Sequence, residues 1–204
     1  LRVVPMGWSH ALWICQSFHE TLSSEVDGIS LDRRLADKRP VPSLRRKTKD
    51  DDHFVHLEYV DNFVALSQRP GVCFEVASRM EKQLNSRGLP THEVEAGVGL
   101  ETLGWHFCED RPWVQVTPKR LWRLRLATGQ LLLEGVCTGR TLEKLVGHFT
   151  FAGLLRRGYL SVFQASYAFI RKHYTHSYRL WPEVRRELFW AASLICLLGR
   201  DLSS

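Results

Sequence analysis

The fold is decided by residues 53–66, which read HFVHLEYVDNFVAL. Apolar side chains alternate with polar ones up to Val60, the polar pair Asp61 and Asn62 interrupts the pattern, and a second apolar run follows. Alternation with period two is typical of a strand, and a two-residue polar break is typical of a tight β-hairpin. We therefore predict two antiparallel strands joined by an Asp61-Asn62 turn that holds the Asp61 carboxylate outside the sheet.

Helical patterns lie on both sides of this hairpin. Residues 8–24 carry apolar side chains at spacings of three and four, which predicts an amphipathic helix with Ser9 as a plausible cap. Residues 72–84 show a second helical face, closed by Gly88 and Pro90. The hairpin is therefore expected to pack against helices.

The remaining segments set the domain organisation. Residues 25–52 are polar and contain prolines, which predicts a flexible loop. A second β region is expected between residues 92 and 116, after which Thr117-Pro118 has the cap-then-proline pattern of a helix start. We predict an α+β fold: residues 1–117 form an antiparallel sheet with helices on one face, and residues 118–204 are all-helical, with breaks at Gly129, Gly139 and Gly158.

Composition narrows the class of protein. The 204 residues are 44% hydrophobic and 11% aromatic, with a formal net charge of +6, which excludes a disordered chain, a collagen-like fibre and a disulfide mini-protein. The five cysteines are scattered singly, as expected for an intracellular, reduced protein. The longest apolar stretch, residues 188–198, is shorter than the roughly 20 residues of a membrane span, so no membrane partner is predicted.

Charge is concentrated in one part of the chain. Residues 118–186 contain thirteen Lys or Arg and three Glu, interleaved with aromatic side chains. A solvated helical surface can carry such an excess, but an excess dominated by arginine also fits a surface that follows a phosphate backbone. We favour a nucleic-acid partner for this region.

Five short motifs occur in a particular order. They are PMGWSHA at residues 5–11, YVDN at 59–62, LGW at 103–105, TPKRL at 117–121 and a helical segment at 142–151. This order resembles the reverse transcriptase family of retroelements over nearly the whole chain. Each motif is weak alone, but their order and spacing together are specific.

The resemblance implies a partial polymerase palm at residues 1–117 and a helical thumb at 118–204. It implies RNA-directed DNA synthesis from a primer end, with Mg²⁺ or Mn²⁺ as cofactor and with an RNA or DNA template-primer duplex and deoxynucleoside triphosphates as partners. Asp61 would be the catalytic metal ligand, with Asn62 as a weak second ligand. The other implied roles are nucleotide or template binding for Pro5, Met6, Gly7, Gln16 and Tyr59, primer positioning for Leu103, Gly104 and Trp105, and duplex binding for Lys119, Arg120, Arg123, Arg156 and Arg157.

The chemistry accounts for the residue types. Nucleotidyl transfer uses two metal ions about 4 Å apart, and hard cations prefer oxygen ligands from carboxylates on neighbouring strands. Family members carry another Asp upstream of the glycine motif, so we expect these residues to be a C-terminal fragment that is inactive alone. Asn62 stands where many members have Asp, and Arg87 or His92 are the only candidates for the family's proton-donating Lys.

Other interpretations remain open. The chain could be a non-catalytic nucleic-acid-binding remnant of a retroelement polymerase, or an α+β domain that binds protein partners through residues 188–198. The pairs His53/His56 and His173/His176 have short spacings but no cysteine at zinc-site spacing, which disfavours a zinc site. For Trp105 and Trp113 we favour core or hairpin packing over base stacking.

Overall fold

The protein forms a mixed α+β structure with small antiparallel sheets. The chain divides into two compact units, residues 1–97 and 98–204. The predicted palm–thumb boundary followed Thr117, whereas the observed division comes earlier because the second β region pairs with a strand near the C-terminus. The α+β prediction is confirmed. The computed structural model describes residues 8–42, 53–69 and 71–202.

The first unit consists of one hairpin packed against helices. Its core combines buried residues of the hairpin, both helices and the segment that follows the first helix. The predicted hairpin and both predicted helices are confirmed. The elements are α1 (Ala11–Ser24), a 3₁₀ helix (Leu31–Arg33), β1 (Phe54–Tyr59), β2 (Asn62–Ser67) and α2 (Val72–Ser86).

Two details of this unit differ from the prediction. The turn consists of Val60 and Asp61, because Asn62 pairs with Tyr59 as the first residue of β2. Helix α1 begins after His10 without a side-chain cap, so the proposed Ser9 cap is wrong. The turn is therefore shifted by one residue, and its first position is a β-branched side chain.

The segment predicted as a loop packs against this unit over its described part, residues 25–42. Val26 and Ile29 lie in the core. Arg34 forms an isolated parallel bridge with His56, and the Leu35 amide donates to the His56 carbonyl at 2.7 Å. The remaining residues of the predicted loop, 43–52, lie outside the described residues.

The second unit combines a four-stranded antiparallel sheet with a helical bundle. The strand order in the sheet is β3-β4-β5-β8, and β6 pairs with β7 in a separate two-stranded sheet. The elements are β3 (Glu101–Thr102), β4 (Trp105–Phe107), β5 (Trp113–Val116), α3 (Pro118–Glu134), β6 (Val136–Cys137), α4 (Gly139–Gly153), a 3₁₀ helix (Arg157–Phe163), α5 (Gln164–Lys172), β7 (Tyr178–Arg179), α6 (Pro182–Leu194), a second 3₁₀ helix (Ile195–Leu197) and β8 (Gly199–Asp201).

The prediction that this region is all-helical after residue 118 is wrong in part. Strands β6, β7 and β8 are only two or three residues long, and each exists through pairing with a distant segment, which a local sequence pattern does not reveal. Helix α3 continues through the predicted break at Gly129 and ends at Gly135, which adopts the left-handed φ of 69° that favours glycine. Residues 92–95 lie outside every strand.

Helices α3 to α6 share one apolar core. Phe149, Phe163, Phe169 and Leu188 are completely buried in it, and Val116 of β5 joins the same cluster. The sheet and the bundle are therefore built on a common core. None of the helices in the described ranges is both long enough and apolar enough to cross a membrane.

Candidate functional site

Asp61 lies at the exposed tip of the first hairpin. Its Oδ1 accepts a hydrogen bond from the Asn62 side-chain amide at 3.1 Å. The preceding Val60 has a φ of 57°, a left-handed conformation that is rare for a β-branched residue. The carboxylate is thus presented to solvent on a strained turn.

Helix α1 holds this turn through two side chains on one face. Gln16 Oε1 accepts from the Val60 amide at 2.7 Å, and Gln16 Nε2 donates to the Glu58 carbonyl at 3.0 Å. His19 Nδ1 donates to the Val60 carbonyl at 3.1 Å, since a carbonyl oxygen can only accept. Residues three apart lie on the same helix face, so α1 satisfies both backbone groups of Val60. Gln16 therefore stabilises the hairpin through hydrogen bonds to its backbone.

A buried charged network lies behind the turn. His56 Nδ1 is 2.9 Å from Glu58 Oε1, and His56 Nε2 is 3.1 Å from the Ser30 carbonyl oxygen. Arg34 Nε lies 3.3 Å from Glu58 Oε2, and Arg34 Nη2 lies 2.5 Å from Glu20 Oε1. Burial by itself raises the pKa of Glu58, but the hydrogen bonds with His56 and Ser23 and the charges of His56 and Arg34 outweigh it and hold that pKa below its ordinary value.

Asp61 and Asn62 at the tip of the hairpin offer part of the ligand set of a metal site. The Asp61 carboxylate and the Asn62 carbonyl oxygen are hard donors of the type that Mg²⁺ and Mn²⁺ accept. In the described part of the chain, no three His, Cys, Asp or Glu side chains converge as a metal centre. Pro5, Met6 and Gly7, predicted to contact nucleotide and template, lie outside the described residues.

A cleft of about 730 Å³ adjoins the hairpin. Tyr59, whose side chain is exposed, lines it together with Gln16, so two predicted nucleotide-binding residues share one cavity wall. Arg34 and Arg39 also line the cleft. Sequence reasoning missed both arginines because they belong to a polar segment with no periodic pattern.

The predicted primer-positioning turn is in the second unit. Leu103 and Gly104 form the turn between β3 and β4 with φ values of 51° and 82°. A Cβ on Gly104 would lie 2.8 Å from Arg120 Nη1 and 3.2 Å from the Phe151 ring, so glycine permits the close approach. Trp105 stacks on Phe151 with ring centroids 4.4 Å apart. The turn is therefore fixed against α3 and α4, and Trp105 packs against the core.

The predicted duplex-binding residues fall into two groups within this unit. Lys119 and Arg123 are exposed on α3, whereas the Arg120 guanidinium lies 4.4 Å from the centroid of the Phe151 ring. Arg156 and Arg157 follow α4 and line a separate cleft of about 630 Å³. Arg120 and Arg156 thus each make a described side-chain contact within this unit, since Arg156 Nε donates to the Gly199 carbonyl at 3.1 Å.

The alternative sites also have definite positions. His56 is 1% exposed and bonded on both nitrogens, so it is committed to the buried network. Within residues 188–198, Leu188 and Ile195 are completely buried while Trp190 and Leu197 are more than half exposed. That segment is therefore part core and part surface.

The candidate residues form two sets, one in each compact unit. Asp61, Asn62, Tyr59 and Gln16 belong to the first unit, and the primer-positioning and cationic residues belong to the second. No protein-family model matches the chain, and neither a curated protein nor a solved structure is significantly similar to it.

Proposed function

We propose that the chain is the palm and thumb part of a reverse transcriptase that extends a primer with deoxynucleotides in a metal-dependent reaction. The observation that carries the proposal is the position of Asp61, a solvent-facing carboxylate on a hairpin tip that α1 ties down at the neighbouring residue. A catalytic metal ligand has to be both accessible and held in place, and this carboxylate meets both conditions.

The strain at Val60 supports this proposal. A β-branched residue with positive φ costs on the order of 1–3 kcal/mol and persists only where the surroundings impose it. Here Gln16 and His19 impose it through hydrogen bonds to the Val60 amide and carbonyl. Strained residues cluster at active sites, where they hold reacting groups in fixed positions.

In the proposed reaction Asp61 would hold Mg²⁺ or Mn²⁺, with the Asn62 carbonyl as a weaker ligand. When bound, the metal supplies charge that stabilises the attacking primer oxygen and the leaving pyrophosphate. Gln16 and His19 keep the tip in position, and the exposed Tyr59 ring beside it offers a face on which a base can stack.

The second unit would hold the duplex. Residues 98–204 contain fifteen Lys or Arg and eight Asp or Glu, which favours a polyanionic partner. On α3, Lys119 and Arg123 flank the exposed Trp122. The Leu103–Trp105 turn would position the primer end.

Primer extension by the longest natural form of this polypeptide tests the proposal. With Mg²⁺, an RNA or DNA template and deoxynucleotides, Asp61→Asn should lower incorporation at least about 100-fold, because loss of the ligand charge removes several kcal/mol of transition-state stabilisation. Asp110→Asn is the matched control, because Asp110 is an exposed acid in another hairpin loop. Equal incorporation by Asp61→Asn and the unmodified protein would remove Asp61 from the mechanism.

One observation favours a second candidate, a non-catalytic nucleic-acid-binding remnant. The Asn62 amide occupies Asp61 Oδ1, where a second carboxylate would instead offer another ligand. If this candidate is correct, the unmodified protein binds duplex but incorporates no nucleotide with either Mg²⁺ or Mn²⁺. Asn62→Asp would then restore no synthesis.

A further inference from the structure

We propose that the cleft lined by Arg156, Arg157 and Arg200 binds one phosphodiester group of a nucleic-acid backbone. The cleft has a volume of about 630 Å³, and Leu154, Leu155 and Asp201 complete its lining. The choice of a nucleic acid as the source of the phosphodiester rests on the proposed function. The cleft itself does not depend on Asp61.

The three guanidinium groups come from two distant parts of the chain. Arg156 immediately precedes the 3₁₀ helix that follows α4 and Arg157 is its first residue, whereas Arg200 is the central residue of β8. An excess of arginine along one helix face is expected for any solvated helix. Convergence of two distant segments on one concavity is a different arrangement, and it concentrates positive potential at a single point.

The arginine pair is held on a rigid support. Arg156 Nε donates to the Gly199 carbonyl at 3.1 Å, which uses one of the five N–H donors of the guanidinium and fixes its plane. The Tyr159 amide donates to the Arg156 carbonyl at 2.9 Å, and the buried Tyr159 hydroxyl donates to the Ala191 carbonyl at 2.8 Å. The pair is thus tied both to β8 and to α6.

Strand β8, the other wall, is equally constrained. Val114 pairs with Arg200 in the register of β5 and β8, and the Leu202 amide donates to the Pro112 carbonyl at 2.7 Å. A Cβ on Gly199 would overlap the Trp113 ring, so the ring packs directly on the strand backbone. Arg200 therefore projects from a strand whose position does not depend on a ligand.

This arrangement matches the chemistry of a phosphodiester. Guanidinium groups present N–H donors in a planar fork that fits phosphate oxygens, and such charge-assisted hydrogen bonds are about twice as strong as neutral ones. The single Asp201 carboxylate leaves the lining with an excess of positive charge. A phosphodiester ridge of a duplex can enter a concave site, whereas the headgroup layer of a bilayer is flat, which favours the nucleic acid.

Binding of the 204-residue chain to a fluorescein-labelled 16-base-pair DNA duplex, measured by anisotropy over a range of KCl concentrations, tests this site. Arg200→Gln should weaken binding about tenfold at low salt and reduce the slope of log K against log salt by about one, because one phosphate contact is lost. Arg200→Lys keeps the positive charge but lacks the planar N–H donors of the guanidinium. It should therefore keep the slope of log K against log salt and lose only part of the affinity. Lys82→Gln, an equal charge change at an exposed position of α2 in the first unit, should leave the slope unchanged.

Three results would overturn the inference. The first is an equal slope change for Arg200→Gln and Lys82→Gln, and the second is failure of the unmodified chain to bind the duplex at low salt. The third is a loss of binding caused by Arg200→Gln that appears with phosphatidylserine vesicles but not with the duplex. All binding measurements are made in EDTA and repeated with Asp61→Asn. If Arg200→Gln weakens duplex binding but the protein incorporates no nucleotide, only the polymerase proposal is contradicted. If the protein incorporates nucleotide but Arg200→Gln leaves duplex binding unchanged, only this site is contradicted.

Discussion

The β1–β2 and β3–β4 hairpins are held in place by different kinds of contact. In the first unit, Gln16 and His19 hydrogen-bond to both backbone groups of Val60. In the second unit, Trp105 and Arg120 contact the ring of Phe151 beside the turn. Hydrogen bonds fix the direction of a group, whereas ring packing fixes the shape of a surface and excludes water. The first turn is therefore held by directional hydrogen bonds to its backbone, and the second by packing against an aromatic ring.

The buried contacts behind the two hairpins also differ, being charged in the first unit and apolar in the second. Glu58, which has a side-chain exposure of 0%, contacts Arg34 and His56 in the first unit. Behind the second turn, Trp105 packs against the apolar core that Val116 of β5 and Phe149 of α4 share. The first unit should therefore respond to changes in charge and pH, and the second to changes in packing.

The largest effect is expected from Arg34→Met. This change leaves the Glu58 carboxylate buried with only its hydrogen bonds to His56 and Ser23, and breaking a buried pair costs on the order of 3 kcal/mol. Hydrogen exchange of the β1 amides should quicken accordingly, while exchange of the β5 amides stays constant. Arg39→Met, at an exposed position of the same segment, is the control. Unchanged exchange in β1 would show that the network contributes little to stability.

The next largest effect is expected from acid, which should destabilise the first unit before the second. The folded pKa of Glu58 lies below its ordinary value of 4.5, so the stabilisation is fully present above pH 4.5 and is lost as the pH falls through the folded pKa. In hydrogen exchange across this range, β1 should lose protection before β5. Glu58→Gln should flatten the pH dependence of β1, since it removes the titrating group. A persistent dependence in that variant would assign it to another carboxylate.

A matching packing change should affect only the second unit. Phe151→Ala removes the ring that Trp105 stacks on and that Arg120 covers, and we expect a loss of about 2–3 kcal/mol in the free energy of unfolding. Phe151→Leu retains apolar volume without the ring and should recover about half of that loss. Urea unfolding followed by tryptophan fluorescence, with hydrogen exchange to locate the change, measures both. An equal loss in the two variants would mean that the ring contacts contribute nothing beyond burial.

The same contrast explains which features the sequence could predict. The first hairpin, helices α1 and α2 and the start of α3 at Pro118 follow from local patterns, because periodicity and proline placement act within a few residues. Strand β8 could not be predicted, because Gly199 is a strand residue only through pairing with β5. Local patterns also gave no sign that Arg34 would reach Glu58.

The candidate sites show the same limit. Asp61 could be placed on a tight turn from alternation alone, but the turn begins one residue earlier than predicted because Asn62 pairs with Tyr59. The hydrogen bonds from helix α1 to Val60 could not be predicted either, since they join distant segments. Arg200 has no local signature of a binding residue, since a single arginine near the end of the chain resembles any surface charge. Its proximity to Arg156 is a consequence of long-range strand pairing.

The smallest effect should come from releasing the strain in the two turns. Val60→Gly removes a left-handed penalty of roughly 1–2 kcal/mol but adds unfolded-state entropy worth about 1 kcal/mol, so the net gain in stability should not exceed about 1 kcal/mol. Leu103→Gly is the matched change, because Leu103 occupies the first position of the second turn with a similar φ. Both variants should unfold at the same or slightly higher urea concentration.

Their functional effects should differ, which makes this pair the sharpest test of the comparison. If the hydrogen bonds of Gln16 and His19 orient Asp61 through a strained Val60, glycine there should lower nucleotide incorporation without loss of stability, because the tip gains freedom. Leu103→Gly should have a weaker effect, since Gly104 and the Phe151 contacts still define the second turn. Full incorporation by Val60→Gly would show that the strain is incidental and that the first hairpin needs no orientation beyond its strand pairing.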